Sequence, residues 1–205
     1  MPATIDYYFT SASPFVYLGH QPLRAVAAKH KAEIRVKPVN LAGVWEVSGA
    51  VMPAKRPPVR QRYRLVELGR IADFRGVPIN RTPKFFPVDP ALADHTVIAL
   101  VEAGKDPLGY MEGVFAAVWA NEKNIADEDT LAGLLEAEGF DAGAILSAAR
   151  EPATAEIRAR NTAEAVEADI VGVPGYVLNG EPFWGQDRVE HLDHALATGR
   201  EAFTA

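Results

Sequence analysis

No cysteine occurs in the 205 residues, which removes disulfide frameworks, thiolate metal sites, cysteine nucleophiles and dithiol redox chemistry together. Any sulfur chemistry must come from a bound thiol. Positive charge is also scarce: 21 Lys and Arg against 27 Asp and Glu leave a formal charge of −6. That balance argues against a broad nucleic-acid surface, which needs clustered basic side chains to neutralise phosphates. No apolar stretch approaches the ~20 residues that span a bilayer. The amino end, Met-Pro-Ala-Thr-Ile-Asp-Tyr-Tyr-Phe, has no basic segment followed by an apolar run. No secretory signal or membrane association is therefore expected, and the expected location is the cytoplasm.

With 48% apolar and 23% charged residues and no low-complexity tract, the composition is that of a globular protein. At roughly 150 residues per domain, the length suits one large domain or a domain with an insertion. Ile5, Tyr7 and Phe9 alternate with Asp6, Tyr8 and Thr10, the period of a strand. Ser13-Pro14 follows, a helix-start signal, because the hydroxyl caps free N–H groups and proline presets the first helical φ. The helix would carry Phe15, Leu18, Leu23, Val26 and Ala27, with a bend at Pro22. Ile34, Val36 and Val39 then mark a second strand.

From about Trp45 the pattern turns helical, after a basic loop holding Pro53, Pro57 and Pro58. Leu65, Leu68 and Ala72 share one face, Asp89-Pro90 and Asp106-Pro107 open further helices, and Met111, Val114, Phe115, Val118 and Trp119 recur at spacings of three and four. Leu131 to Leu135, the surroundings of Ile145, and Ile157 to Val166 continue the run. Strands return at Tyr176 to Leu178, with the hairpin signal Asn179-Gly180 and a partner strand to Trp184. A last helix carries Val189, Leu192 and Leu196. The order β-α-β, many helices, β-β-α predicts an α/β fold with a thioredoxin-like core and an all-helical insertion. The expected units are residues 1–45 with 168–205, and the insertion 46–167.

At the first strand-to-helix junction, Ser13 places a hydroxyl where free N–H groups and the helix dipole favour an anion such as a thiolate. On spacing alone, an ordinary N-cap is the stronger account of it. Val173-Pro174, flanked by Gly172 and Gly175, could hold a cis bond and leave backbone free to pair with an extended ligand. Gln186-Asp187 could hold an amino-carboxylate headgroup or simply cap a helix. Lys55, Arg56, Arg60, Arg62 and Arg64 form a dense basic stretch that could grip carboxylates, although a solvated helix face would look the same. His191 and His194 lack the glutamate of a zinc-protease pattern and read as surface residues; no metal site is expected. Trp45, Trp119 and Trp184 read as core or pocket wall, and aromatic walls suit an aromatic substrate.

Together, Ser13-Pro14-Phe15-Val16-Tyr17-Leu18, Ala117-Val118-Trp119, and Gly172-Val173-Pro174 leading into Asn179-Gly180-Glu181-Pro182-Phe183-Trp184-Gly185-Gln186-Asp187-Arg188 resemble the 2-hydroxychromene-2-carboxylate isomerases. The resemblance spans nearly the whole chain. Those enzymes are related to kappa-class glutathione transferases and to thioredoxin-fold disulfide oxidoreductases. It implies glutathione as cofactor, with Ser13, not Ser11, beside its thiol. It further implies that Val173 bonds the tripeptide backbone next to a cis Pro174, and that Gln186 and Asp187 face its γ-glutamyl end. Arg60, upstream of Tyr63, matches a basic residue that contacts the tripeptide in kappa-class relatives. Ser11-Ala12 replaces bulkier apolar residues of those relatives, which alters the expected substrate pocket.

The implied activity interconverts 2-hydroxychromene-2-carboxylate and trans-o-hydroxybenzylidenepyruvate, or a close analogue, in aromatic catabolism. Thiolate addition would make the conjugated double bond single and free to rotate. An Arg or Lys of the insertion would hold the substrate carboxylate, and a homodimer is expected by analogy. Two other readings stay open: a kappa-like glutathione transferase or peroxidase, and a non-catalytic module that docks glutathione or a peptide.

Overall fold

The computed structural model describes residues 2–204. Its sheet has four strands in the order β2-β1-β3-β4, with β1 at Thr4–Phe9, β2 at Glu33–Pro38, β3 at Gly175–Leu178 and β4 at Glu181–Trp184. β1 runs parallel to β2, with Ile5 opposite Ile34 and Tyr7 opposite Val36, and antiparallel to β3, with Tyr8 opposite Gly175. The β3–β4 hairpin turns on Asn179 and Gly180, both at positive φ (53° and 85°), the backbone of a type I′ turn. This is the thioredoxin-like core expected from the sequence.

Helix α1 spans Pro14–His30 and passes through Pro22 without interruption. The other α-helices among the described residues are α2 (Leu41–Ser48), α3 (Pro58–Arg75), α4 (Ala91–Glu102), α5 (Leu108–Trp119), α6 (Glu128–Ala137), α7 (Ala142–Ala149), α8 (Pro152–Glu167) and α9 (Val189–Thr198). The Asp-Pro signals act as the sequence suggests: the Asp89 and Asp106 carboxylates accept from the Ala91 and Leu108 N–H groups, each at 2.9 Å. The expected change of character at Trp45 falls inside α2. Asn40 caps that helix by accepting from the Ala42 N–H at 3.2 Å, a start signal that precedes the boundary drawn from composition. α2 packs on α8, while α4 and α8 both rest on β2, so the inserted helices share their packing with the sheet.

The core centres on β1. Tyr7 packs against Phe9 at 5.1 Å and Tyr176 at 5.6 Å, and Phe9 meets the edge of Phe115 at 5.8 Å. No helix among the described residues is long and apolar enough to cross a membrane.

Candidate functional site

Strand register gathers most of the singled-out residues at one end of the sheet. Because Tyr8 lies opposite Gly175, the segment leaving β1 and the segment entering β3 exit on the same side. β4 ends there as well, with Trp184 opposite Gly175 and the Gly185 N–H donating to the Pro174 carbonyl at 2.9 Å. Ser13, Val173, Pro174, Gln186 and Asp187 thus converge through topology, although up to 174 positions separate them in sequence.

Ser13 is 8% exposed and stands at the N-cap of α1. Its backbone N–H donates to the Thr10 carbonyl at 3.1 Å, which closes the turn out of β1. Its Oγ accepts from the Val16 N–H at 3.4 Å, a long bond. The hydroxyl is therefore a cap, but a loosely held one, and its own proton remains available for donation. The Phe15 N–H, which makes no hydrogen bond among the described residues, and the helix dipole make this end of α1 favourable for negative charge.

The Val173–Pro174 bond is cis, as is Phe86–Pro87, which the sequence reading did not single out. Val173 is buried, and among the described residues neither its N–H nor its C=O makes a hydrogen bond. Buried backbone groups are seldom left unpaired, so these two offer an edge for an extended ligand. On the other flank, Arg75 donates to the Gln186 Oε1 from Nε at 3.1 Å and from Nη2 at 2.7 Å, and also reaches the Gln186 carbonyl at 3.1 Å. With its oxygen so occupied, Gln186 keeps its amide protons for a ligand. Asp187 is exposed and paired to Arg188 at 2.8 Å. Neither residue caps α9; both lie in a short 3-10 turn, Gln186–Arg188, that precedes it.

No hydrogen bond or ion pair links exposed Arg60 to any of these groups. The α3 residue that reaches this end is Arg75, fifteen positions later and so about 22 Å further along the axis. The match made through Tyr63 did not reveal which residue of the helix bends over the sheet end.

Beneath the Ser13 turn lies an ion pair absent from the sequence reading. Asp94 of α4, fully buried, accepts from the Ser11 N–H at 2.8 Å and the Thr10 hydroxyl at 3.1 Å. Arg158 of α8 donates to the same carboxylate from Nη2 at 2.8 Å and Nε at 3.1 Å. Burial pushes this carboxyl upward, against the pull of Arg158 and the loop donors. Two inserted helices are thereby fastened to the turn that carries Ser13. A signal did exist: Asp94 falls three and four positions before Val97 and Ile98, on the apolar face of α4, where a lone carboxylate needs a partner. A second buried group is His20, whose Nε2 lies 3.0 Å from the Leu108 carbonyl. Burial lowers its pKa to about 4, so the ring is neutral at pH 7.

These features fit glutathione in kind: a polar hydroxyl at a helix N-terminus for the sulfur, an unpaired backbone edge for the peptide, and a free amide with a carboxylate for the amino-acid end. Comparison with known proteins narrows the class. Residues 4–197 match the DSBA-like thioredoxin domain, so the fold and site define a member of that class. The chain is 32% identical to a 2-hydroxychromene-2-carboxylate isomerase of Pseudomonas putida, covering 94% of this chain and 93% of that one. A protein of the same name from Sphingobium xenophagum is 29% identical, covering 96% and 99%. Among solved structures, a 2-hydroxychromene-2-carboxylate isomerase superposes with a TM-score of 0.80 at 28% identity over 95% of both chains. The chain belongs to the 2-hydroxychromene-2-carboxylate isomerase family.

Proposed function

We propose that the protein is a glutathione-dependent isomerase that interconverts 2-hydroxychromene-2-carboxylate and trans-o-hydroxybenzylidenepyruvate, or a close analogue, in the breakdown of aromatic compounds. The observation that carries this reading is the pairing of a loosely engaged Ser13 hydroxyl at the start of α1 with the unbonded backbone of Val173 at the same sheet end. The chemistry supplied by bound glutathione is reversible thiolate addition to the alkene carbon remote from the ketone, moving the electron pair to the keto oxygen and leaving a single bond that rotates before the thiolate departs.

The chain's own residues have defined tasks in that reading. Ser13 donates a hydrogen bond to the sulfur, and the N-terminus of α1 favours its ionised form near neutrality. Val173 aligns the tripeptide backbone by its N–H and C=O. Gln186, steadied by Arg75, and Asp187 orient the γ-glutamyl end, and Arg60 is assigned a carboxylate of the tripeptide. Absence of cysteine leaves the protein unable to act as a dithiol oxidase. A cytoplasmic setting suits this reading, because the thiol pool there is kept reduced. The exposed apolar side chains of α2, α3 and the segment between them favour a homodimer.

Turnover of 2-hydroxychromene-2-carboxylate with and without glutathione tests the proposal, beside conjugation of chlorodinitrobenzene. Thiol-dependent isomerisation with weak conjugation is expected. Strong conjugation without isomerisation would favour a transferase, and glutathione binding with neither activity a docking module.

A further inference from the structure

Arg56, Arg60 and Arg64 lie four residues apart, from the loop ahead of α3 into its second turn. Among the described residues none of the three is paired with a carboxylate. The guanidinium of Arg64 is half-buried, 5.5 Å from the centre of the Phe86 ring and 5.9 Å from that of Trp119, and makes no hydrogen bond among the described residues. Arg56 lies 6.0 Å from the Trp45 ring, with only its Nε engaged, on the Val51 carbonyl at 2.7 Å. The cations also burden one another: burial, then neighbouring Arg60, lowers the pKa of Arg56, and burial, then Arg56, lowers that of Arg64. A guanidinium with no protein acceptor among the described residues, seated on two rings and crowded by like charge, is placed to take an anion.

The planar fork selects a carboxylate or phosphate held by two parallel bonds. Trp119 is fully buried behind the guanidinium, while Phe86 is partly exposed beside it and suits a flat, apolar body attached to that anion. The packing beneath Arg64 is continuous with the sheet end described above. Trp119 lies one turn after Phe115, which meets the edge of Phe9, the last residue of β1, and the chain turns from there into Ser13. At the far end of the same α3, Arg75 holds Gln186.

We propose that Arg64, supported by Arg56, binds the carboxylate of the aryl 2-oxo acid substrate. The inference rests on the isomerase reading and deepens it by giving the substrate's anion a guanidinium of its own, one turn beyond the Arg60 assigned to the tripeptide. Neutral Phe86 and Trp119 exclude water from one face of the guanidinium, so its bonds to the carboxylate are made in a partly dry setting.

The test compares Arg64→Gln and Arg64→Lys with the parent protein. For 2-hydroxychromene-2-carboxylate, Arg64→Gln is expected to raise KM about ten- to a hundredfold with little change in kcat, and Arg64→Lys to fall between. KM for glutathione should stay the same. A neutral analogue, 4-(2-hydroxyphenyl)but-3-en-2-one, should be turned over equally by parent and variants, an outcome that loss of structure would not give. Independently of turnover, calorimetry with trans-2-hydroxycinnamate and no glutathione should detect binding to the parent and a loss of about tenfold or more in Arg64→Gln. An unchanged KM for the chromene and an unchanged cinnamate affinity would overturn the assignment, as would a rise in the glutathione KM alone. If the parent lacks isomerisation but cinnamate binding still depends on Arg64, the isomerase reading fails while the carboxylate site stands.

Discussion

Ser13 has two tasks that a single substitution separates. As a cap its bond to Val16 is long, so Ser13→Ala should lower stability by no more than about 1 kcal/mol. As a donor to a charged sulfur it should contribute about 1.5–3 kcal/mol, or about ten- to a hundredfold in rate. A rate loss of that size with a nearly unchanged melting temperature is the expected result; an unchanged rate would leave Ser13 as a cap alone. Asp94 gives a contrasting case. Asp94→Ala strands Arg158 in the interior and frees the Ser11 and Thr10 donors, with an expected stability loss of about 3–5 kcal/mol. Replacing both Asp94 and Arg158 by leucine should recover much of that loss in denaturant titration, while the rate stays low because the Ser13 turn has lost its anchor. His20 sets an acid limit. Its folded pKa, about 4, lies below the unfolded 6.5, so the unfolded chain takes up the proton first as pH falls. Its contribution is complete above pH 6.5 and is lost towards pH 4, amounting to about 3 kcal/mol over that window. His20→Gln should flatten that part of the stability profile in urea titrations. Ser13 was legible from its Ser-Pro context, whereas Asp94 was not, because its partner is 64 positions away and only the fold joins them.

At the scale of elements, the strands and helices were readable wherever their signals are local. Asp89, Asp106, Asn179-Gly180 and the spacing of three and four along α5 all marked elements that the structure contains. The alternation in β1 was less faithful. It does not divide buried from exposed positions: Tyr8, and Thr10 just beyond the strand, are buried with Tyr7 and Phe9, because β1 is an inner strand. Arg75 escaped notice for a related reason: helical periodicity shows which residues share a face, not where the end of α3 lands. The contact between α1 and the Gln186 turn offers a test at this level. A Cβ at Gly19 would fall 2.9 Å from the Gln186 Cβ and 3.1 Å from the Tyr176 hydroxyl. In an exposed helix Gly→Ala stabilises by up to about 1 kcal/mol. Here Gly19→Ala should instead destabilise by about 1–3 kcal/mol, because α1 or the turn must move. Displacing the turn also shifts Gln186, so the glutathione KM should rise with it. A variant that melts higher than the parent would show that α1 and the Gln186 turn are not in contact in solution.

At the scale of the molecule, the surface is uneven in its apolar content. Val59, Tyr63 and Val66 recur at spacings of four and three along α3, all about half exposed or more, and Phe74 further along the helix is 76% exposed. Val47, Val51 and Met52 continue this apolar exposure from α2 into the segment before α3. Scattered apolar residues on a surface need no explanation, but a row on one helix beside further exposed valines suits a partner of similar composition. A second copy of the chain meets that requirement through a two-fold contact, in which the same patch serves both sides. Sedimentation at micromolar concentration should therefore give twice the chain mass. Val66→Glu should shift the mass towards that of one chain, because two carboxylates brought together across the two-fold contact repel and lose their hydration. A monomer in the parent protein would remove the dimer from the account. Since α3 also carries Arg64 and ends on Gln186, anchoring its outer face would steady both anion-binding ends of the site. The monomeric variant should then lose affinity for glutathione and chromene together, unlike any single substitution within one subsite.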